Sequence, residues 1–105
     1  MKKNLTLILM LPLLAFAADE EYTIQIINHR FEPAELAVPA NIKIKLLIVN
    51  KDATPEEFES YELNREKVIT GNGKATIYIG PLSPGKYPYF GDFNQATANG
   101  LIIAK

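Results

Sequence analysis

At 105 residues, with 11 basic and 12 acidic side chains, the chain has a net charge near −1 and enough sequence for one small domain around one core. It has no cysteine and a single histidine, which excludes disulfide frameworks, thiolate metal centres and zinc sites built from several Cys or His ligands. The mildly acidic balance also argues against nucleic acid or an anionic membrane surface as partner.

The first 17 residues read as an export signal rather than as part of the fold. Lys2 and Lys3 form a basic start, residues 5–14 form an apolar run too short to span a bilayer, and Ala15-Phe16-Ala17 supplies the small residues of a cleavage site. Cleavage is expected after Ala17, leaving an exported domain of residues 18–105 with no membrane insertion of its own. No Cys follows the apolar run, which speaks against a lipid anchor. Losing Lys2 and Lys3 takes the net charge to −3, and Met1 and Met10 leave with the signal. The mature chain then has neither thiolate nor thioether, and His29 is its one imidazole.

Along the mature chain, residues 22–28 alternate apolar and polar side chains and predict a half-buried strand. Pro33 and Pro39 confine residues 35–38 to a short edge strand. Residues 42–50 predict a central strand with Ile42, Ile44, Leu46 and Ile48 facing the core. Residues 51–67 are ambiguous. Thr54, Pro55 and Glu57 carry a capping-box signature for a helix starting at Pro55. An extended 57–61 would instead bury Phe58 and set Glu57, Glu59 and Tyr61 on the opposite face. Asn72-Gly73 between the apolar runs 68–70 and 75–79 predicts a hairpin. Pro84-Gly85 turns the chain into a strand over 86–90; a polar loop over 91–99 follows, then a closing strand over 100–104. About seven short strands at close spacing predict an all-β sandwich in one domain.

Little catalytic chemistry survives this inventory. His29 is the only general base of its type, no Ser stands at a nucleophile elbow, and no glycine-rich phosphate loop precedes a helix. Hard-ligand metal binding remains: the acidic run Asp52, Glu56, Glu57, Glu59 and Glu62 could meet Asp92 or His29 in space. Carboxylates with one imidazole suit Fe, Mn or Cu(II), or Ca²⁺ where oxygen dominates. The bland alternative is that these charges are a solvated face.

The chain resembles the cupredoxin superfamily along its whole mature length. The likeness rests on Phe31-Glu-Pro-Ala-Glu-Leu-Ala-Val-Pro-Ala40, the 42–50 strand ending in Asn50, the Pro84-Gly-Lys-Tyr-Pro-Tyr-Phe90 segment and the closing Gly100-Leu-Ile-Ile103. It implies a Greek-key β-sandwich. Plastocyanin-like members keep Cys, His and Met ligands in the loop before the last strand and another His after the asparagine strand. This chain has Gly91 for the Cys, Asn94 for the His and no Met around Thr97 and Ala98, while the earlier His position falls near Glu57. Without a thiolate there is no type 1 copper.

It is more closely similar to a Cys-less cupredoxin-like subfamily with Thr-Pro-Glu-Glu-Phe-Glu-Ser, here 54–60, and Asn-Arg-Glu-Lys-Val-Ile, here 64–69. Gly-Asp-Phe-Asn at 91–94 and Thr-Ala-Asn-Gly at 97–100 complete the pattern. Several members have His where this chain has Asn94. The resemblance, which extends to the N-terminal domain of EfeO-type periplasmic proteins, implies a periplasmic accessory of an iron permease. Such a protein would bind iron or copper through Glu57 and Glu59, with Asp92 and His29 as further ligands, and would have an extended 57–61. One imidazole and no thiolate leave little means of tuning a redox potential, so a ferroxidase-type enzyme is the less favoured reading. The rival is a metal-free module that docks a partner through exposed Tyr61, Tyr89 and Phe93.

Overall fold

A computed structural model describes residues 20–105; the expected signal segment, 1–17, lies outside the described residues. The chain forms nine strands: β1 (Glu20–Ile27), β2 (Arg30–Glu32), β3 (Glu35–Val38), β4 (Ile44–Asn50), β5 (Glu56–Ser60), β6 (Arg65–Ile69), β7 (Lys74–Ile79), β8 (Gly85–Gly91) and β9 (Asn99–Ala104). One sheet has the order β2-β1-β4-β7 and the other β3-β9-β8-β5-β6. The expected β-sandwich is therefore present, with nine strands rather than seven. β1 runs parallel to β4 and β3 parallel to β9, while the other pairs are antiparallel.

Period-two patterning drives the packing. Ile24 and Ile26 of β1, with Ile44, Leu46 and Ile48 of β4, turn fully buried side chains toward Phe58, Ile69, Tyr89 and Ile102 of the facing sheet. Each such side chain contributes about 1.5–3 kcal/mol on burial. At the centre Tyr89 stacks on Phe58 at 4.8 Å and meets Phe31 edge-on at 4.9 Å.

Three local expectations change. The strand 42–50 begins only at Ile44, and Ile42 is exposed, because Asn41 takes a positive φ of 65° and turns the chain before the ladder starts. Residues 28 and 29, both with positive φ, make the two-residue turn of a β1–β2 hairpin, and this adds the strand absent from the sequence reading. The Asn72-Gly73 turn does not close a hairpin. β6 pairs with β5 and β7 with β4, so the turn carries the chain from one sheet to the other. Its backbone is engaged by the 50–52 segment instead: Asn50 N donates to Gly73 O at 2.8 Å and Asn72 N to Asp52 O at 2.7 Å.

The helix at Pro55 does not form, and residues 56–60 are extended as the resemblance implied. Tertiary demand overrides the capping signal here. Phe58 is fully buried in the aromatic cluster, and the Thr54 carbonyl accepts from Asn50 Nδ2 at 2.9 Å.

Candidate metal centre

Strand alternation splits the run at 56–60 into two chemistries. Glu56, Phe58 and Ser60 point inward and are buried, while Glu57 and Glu59 lie half-buried on the outer face of the five-stranded sheet. β6 pairs antiparallel with β5 and sets Glu66 directly opposite Glu59. One carboxylate oxygen each from Glu57, Glu59 and Glu66 fall within 4.8 Å of one another. Like charges facing across a ladder repel, and no ion pair among the described residues neutralises the trio. Arg65 is adjacent in sequence but turns away, its guanidinium donating to Tyr78 O and Asn64 O, each at 2.8 Å.

Asp92 completes the acidic surface. It opens a single 3-10 turn, Asp92–Asn94, just after β8, and its charge acts on both Glu57 and Glu59. Its Oδ1 accepts from Gln95 Nε2 at 2.9 Å. The titration behaviour follows from this crowding. Partial desolvation, then the charge of Glu66, then that of Asp92 hold the Glu57 and Glu59 carboxyls above the usual carboxylate range. Glu59 adds a further push on Glu57.

Of the four expected ligands, Glu57, Glu59 and Asp92 thus share one surface, whereas His29 belongs to another. His29 sits in the β1–β2 turn, where its Nδ1 lies 3.6 Å from Asp52 Oδ2. The two Asp52 oxygens also accept from Asn28 N at 2.8 Å and His29 N at 2.9 Å, so that carboxylate serves the turn. Glu66 was not singled out from the sequence as a ligand. The Glu59–Glu66 register would have exposed it, but a register across a four-residue connection is not written in either strand alone.

The inward side of the same region is where a copper ligand set would be sought. The Glu56 carboxylate lies there, 1% exposed, accepting from Glu57 N at 3.0 Å, Phe93 N at 2.9 Å and Asn94 Nδ2 at 2.6 Å. Gly91 has no room for a side chain: a Cβ there would lie 2.6 Å from Ala98 Cβ and 2.6 Å from Glu56 Cδ. With no cysteine in the chain, a methyl-bearing residue at 98 and an amide at 94 already committed to a carboxylate, these residues do not fit a type 1 copper ion.

Comparison with known proteins agrees with this fold. The chain matches the family described as "Cupredoxin-like domain" over residues 4–104. It belongs to that family. An uncharacterized protein of Rickettsia prowazekii (strain Madrid E) is 49% identical over 83 residues, covering 79% of this chain and 66% of the relative's length. Auracyanin A, a "blue" copper protein of Chloroflexus aurantiacus, superposes with a TM-score of 0.72 at 11% identity, covering 84% of this chain and 100% of that one. Amicyanin of Paracoccus versutus gives a TM-score of 0.63 at 16% identity, covering 87% of each chain. The metal-binding domain of a Streptococcus pneumoniae Cu(I)-exporting P-type ATPase gives 0.65 at 15% identity, covering 81% of this chain and 84% of that one. At these identities the structural neighbours establish the fold alone.

The rival docking reading also changes in detail. Tyr61 and Phe93 are exposed, at 75% and 51%, but Tyr89 is only 2% exposed and belongs to the core because its β8 position faces inward between Phe31 and Phe58.

Proposed function

We propose that this protein is an exported, periplasmic cupredoxin-like module that holds an iron or copper ion beside an iron permease, without a type 1 copper site. The ion would sit on the outer face of the five-stranded sheet, ligated by Glu57, Glu59 and Glu66, with Asp92 at the rim. The observation that carries this reading is the convergence of three carboxylate oxygens within 4.8 Å of one another. An all-oxygen donor set favours hard ions, which places Fe(III) ahead of copper. Ionised carboxylates forced together on partly desolvated strands gain when a cation joins them, so the repulsion that is unfavourable in the free protein becomes binding free energy. Holding the ion at an open surface suits transfer to a partner rather than redox turnover.

The experiment is a titration of residues 18–105 with Fe(II), Fe(III) and Cu(II), repeated on Glu57→Gln, Glu59→Gln and Glu66→Gln. Saturable micromolar binding to the parent that weakens in all three variants supports the site. Binding that is absent, or indifferent to all three, removes it. In that case exposed Tyr61 and Phe93 favour a second reading, a metal-free module docking a periplasmic partner.

A further inference from the structure

The outer face of the five-stranded sheet is less polar than a solvent-facing sheet surface calls for. Alternation along β8 turns Pro88 and Phe90 outward, while Tyr89 between them is buried. Across the ladder, Leu101 of β9 stands opposite Pro88, and Asn99 opposite Phe90. Just past the end of β5, Tyr61 sets its ring 5.6 Å from that of Phe90, tilted by 57°, and stays 75% exposed. Tyr61, Pro88, Phe90, Asn99 and Gly100 line an open groove of about 430 Å³.

This groove ends against negative charge. Glu59 pairs directly with Phe90 on the same face, and Glu66 stands opposite Glu59 on β6. The guanidinium of Arg65 is held by Tyr78 O and Asn64 O. Lys86 shares the outer face of β8 but lies four residues before Phe90, roughly 13 Å along the strand. An aromatic, apolar channel and a pair of carboxylates therefore adjoin, and a ligand that satisfies both must be cationic at one end and apolar beside it.

We propose that the groove docks a segment of a partner protein carrying an arginine next to an apolar residue. The guanidinium would lie against the Glu59 and Glu66 carboxylates with the Tyr61 and Phe90 rings at its side, and its apolar neighbour would cover Pro88. Arginine suits both halves: its planar fork pairs with carboxylates and its face stacks on aromatic rings, whereas the compact, strongly hydrated ammonium of lysine does less of either. Charge also sets the partner's sign. The chain is itself net negative, so a second copy would bring more of the same charge to an acidic rim. The proposal gives the docking alternative its partner chemistry and requires no bound ion. Where an ion is held, it and the arginine compete for Glu59 and Glu66, so docking favours release of the ion and the ion opposes docking to the same degree.

The test is an amide NMR titration of metal-free residues 18–105 with a capped Gly-Leu-Arg-Leu-Gly peptide, so that its result does not depend on whether the metal titration succeeds. Parallel titrations use the same peptide with citrulline for arginine, which removes only the charge, and with glycines for the leucines. Saturable shifts centred on Tyr61, Phe90, Asn99 and Gly100 are expected, with affinity falling as salt is raised. Citrulline should weaken binding about tenfold or more, and loss of the leucines should weaken it too. Tyr61 and Glu66 are exposed, so Tyr61→Ala and Glu66→Gln remove groove contacts without touching the core. Each should weaken the arginine peptide several-fold, about threefold or more. No saturation at millimolar peptide overturns the proposal. So do shifts centred elsewhere on the surface, equal binding of the citrulline or leucine-free peptide, and affinity unchanged in both variants.

Discussion

Asn94 Nδ2 donates to Glu56 Oε2 over 2.6 Å, joining a loop side chain to a buried strand carboxylate 38 positions earlier. With the Phe93 amide on Oε1, this makes Glu56 the main polar tie between β5 and the turn after β8. Replacing it with Ala strands both donors and leaves a cavity, at a cost of about 3 kcal/mol or more. Glu56→Gln keeps one acceptor but turns a donor toward a donor, and should cost about 1–2 kcal/mol. Urea denaturation of the two variants beside the parent measures both.

The crowded outer carboxylates give stability an unusual pH slope. Because Glu57 and Glu59 titrate above the ordinary carboxylate range when folded, the folded state binds more protons than the unfolded one just above that range. Their contribution therefore favours folding below the window and is lost as pH rises through it. Glu57→Gln should flatten this part of the stability profile, as measured by thermal unfolding from mildly acidic to neutral pH. Metal affinity should run the opposite way and climb with pH across the same window, because the ion competes with those protons.

Tyr89 carries a buried hydroxyl with no hydrogen-bond partner, and burial alone pushes its pKa well above the usual phenol range. Tyr89→Phe keeps the stacking on Phe58 and the edge contact with Phe31 while removing an unsatisfied polar group. Stability should rise by about 1 kcal/mol. Gly100→Ala should do the reverse, costing about 1–3 kcal/mol by overpacking, because its Cβ would collide with the Tyr89 ring and hydroxyl. Paired denaturation curves decide each.

Asn50 ends β4 with a fully used amide. Its Nδ2 faces the carbonyls of Thr54, Ile69 and Thr70 at 2.9, 3.3 and 3.3 Å, and its Oδ1 accepts from Asp52 N at 3.0 Å. Asn50→Asp is nearly isosteric yet sets a carboxylate against three carbonyls, and should cost about 2–4 kcal/mol at neutral pH. The aspartate's folded pKa would be raised, so the deficit should shrink on acidification. Asn50→Ala, with no charge to titrate, should show no such recovery.

Much of the sandwich was legible from alternation alone. Ile44, Leu46 and Ile48, and likewise Ile24 and Ile26, fall on the buried face that period two assigns them. Local turn chemistry was less reliable. Asn72-Gly73 gives a tight turn in either setting, and nothing in the dipeptide says whether its flanking strands share a sheet. The β1–β2 turn was hidden because Asn28 and His29 hold positive φ with the help of Asp52, more than twenty residues away. The site was half visible. Period two places Glu57 and Glu59 on one face once the strand is granted, but Glu66 enters by register and Asp92 by the anchoring of a distant turn. Glu56 read as one more member of an acidic run; its burial depends on donors that only the folded chain brings.

β6 is one of the two edge strands of the five-stranded sheet, and edge strands present unpaired backbone that invites another chain to add on. The carboxylates of Glu59 and Glu66, with Glu57 beside them, line that border and make the approach of a like-charged copy unfavourable. The same charges therefore act as a solubility guard. Anything that cancels them, whether protons or a bound cation, also lifts the barrier to strand addition along β6, so the loaded or acidified protein should self-associate at lower concentration than the free one.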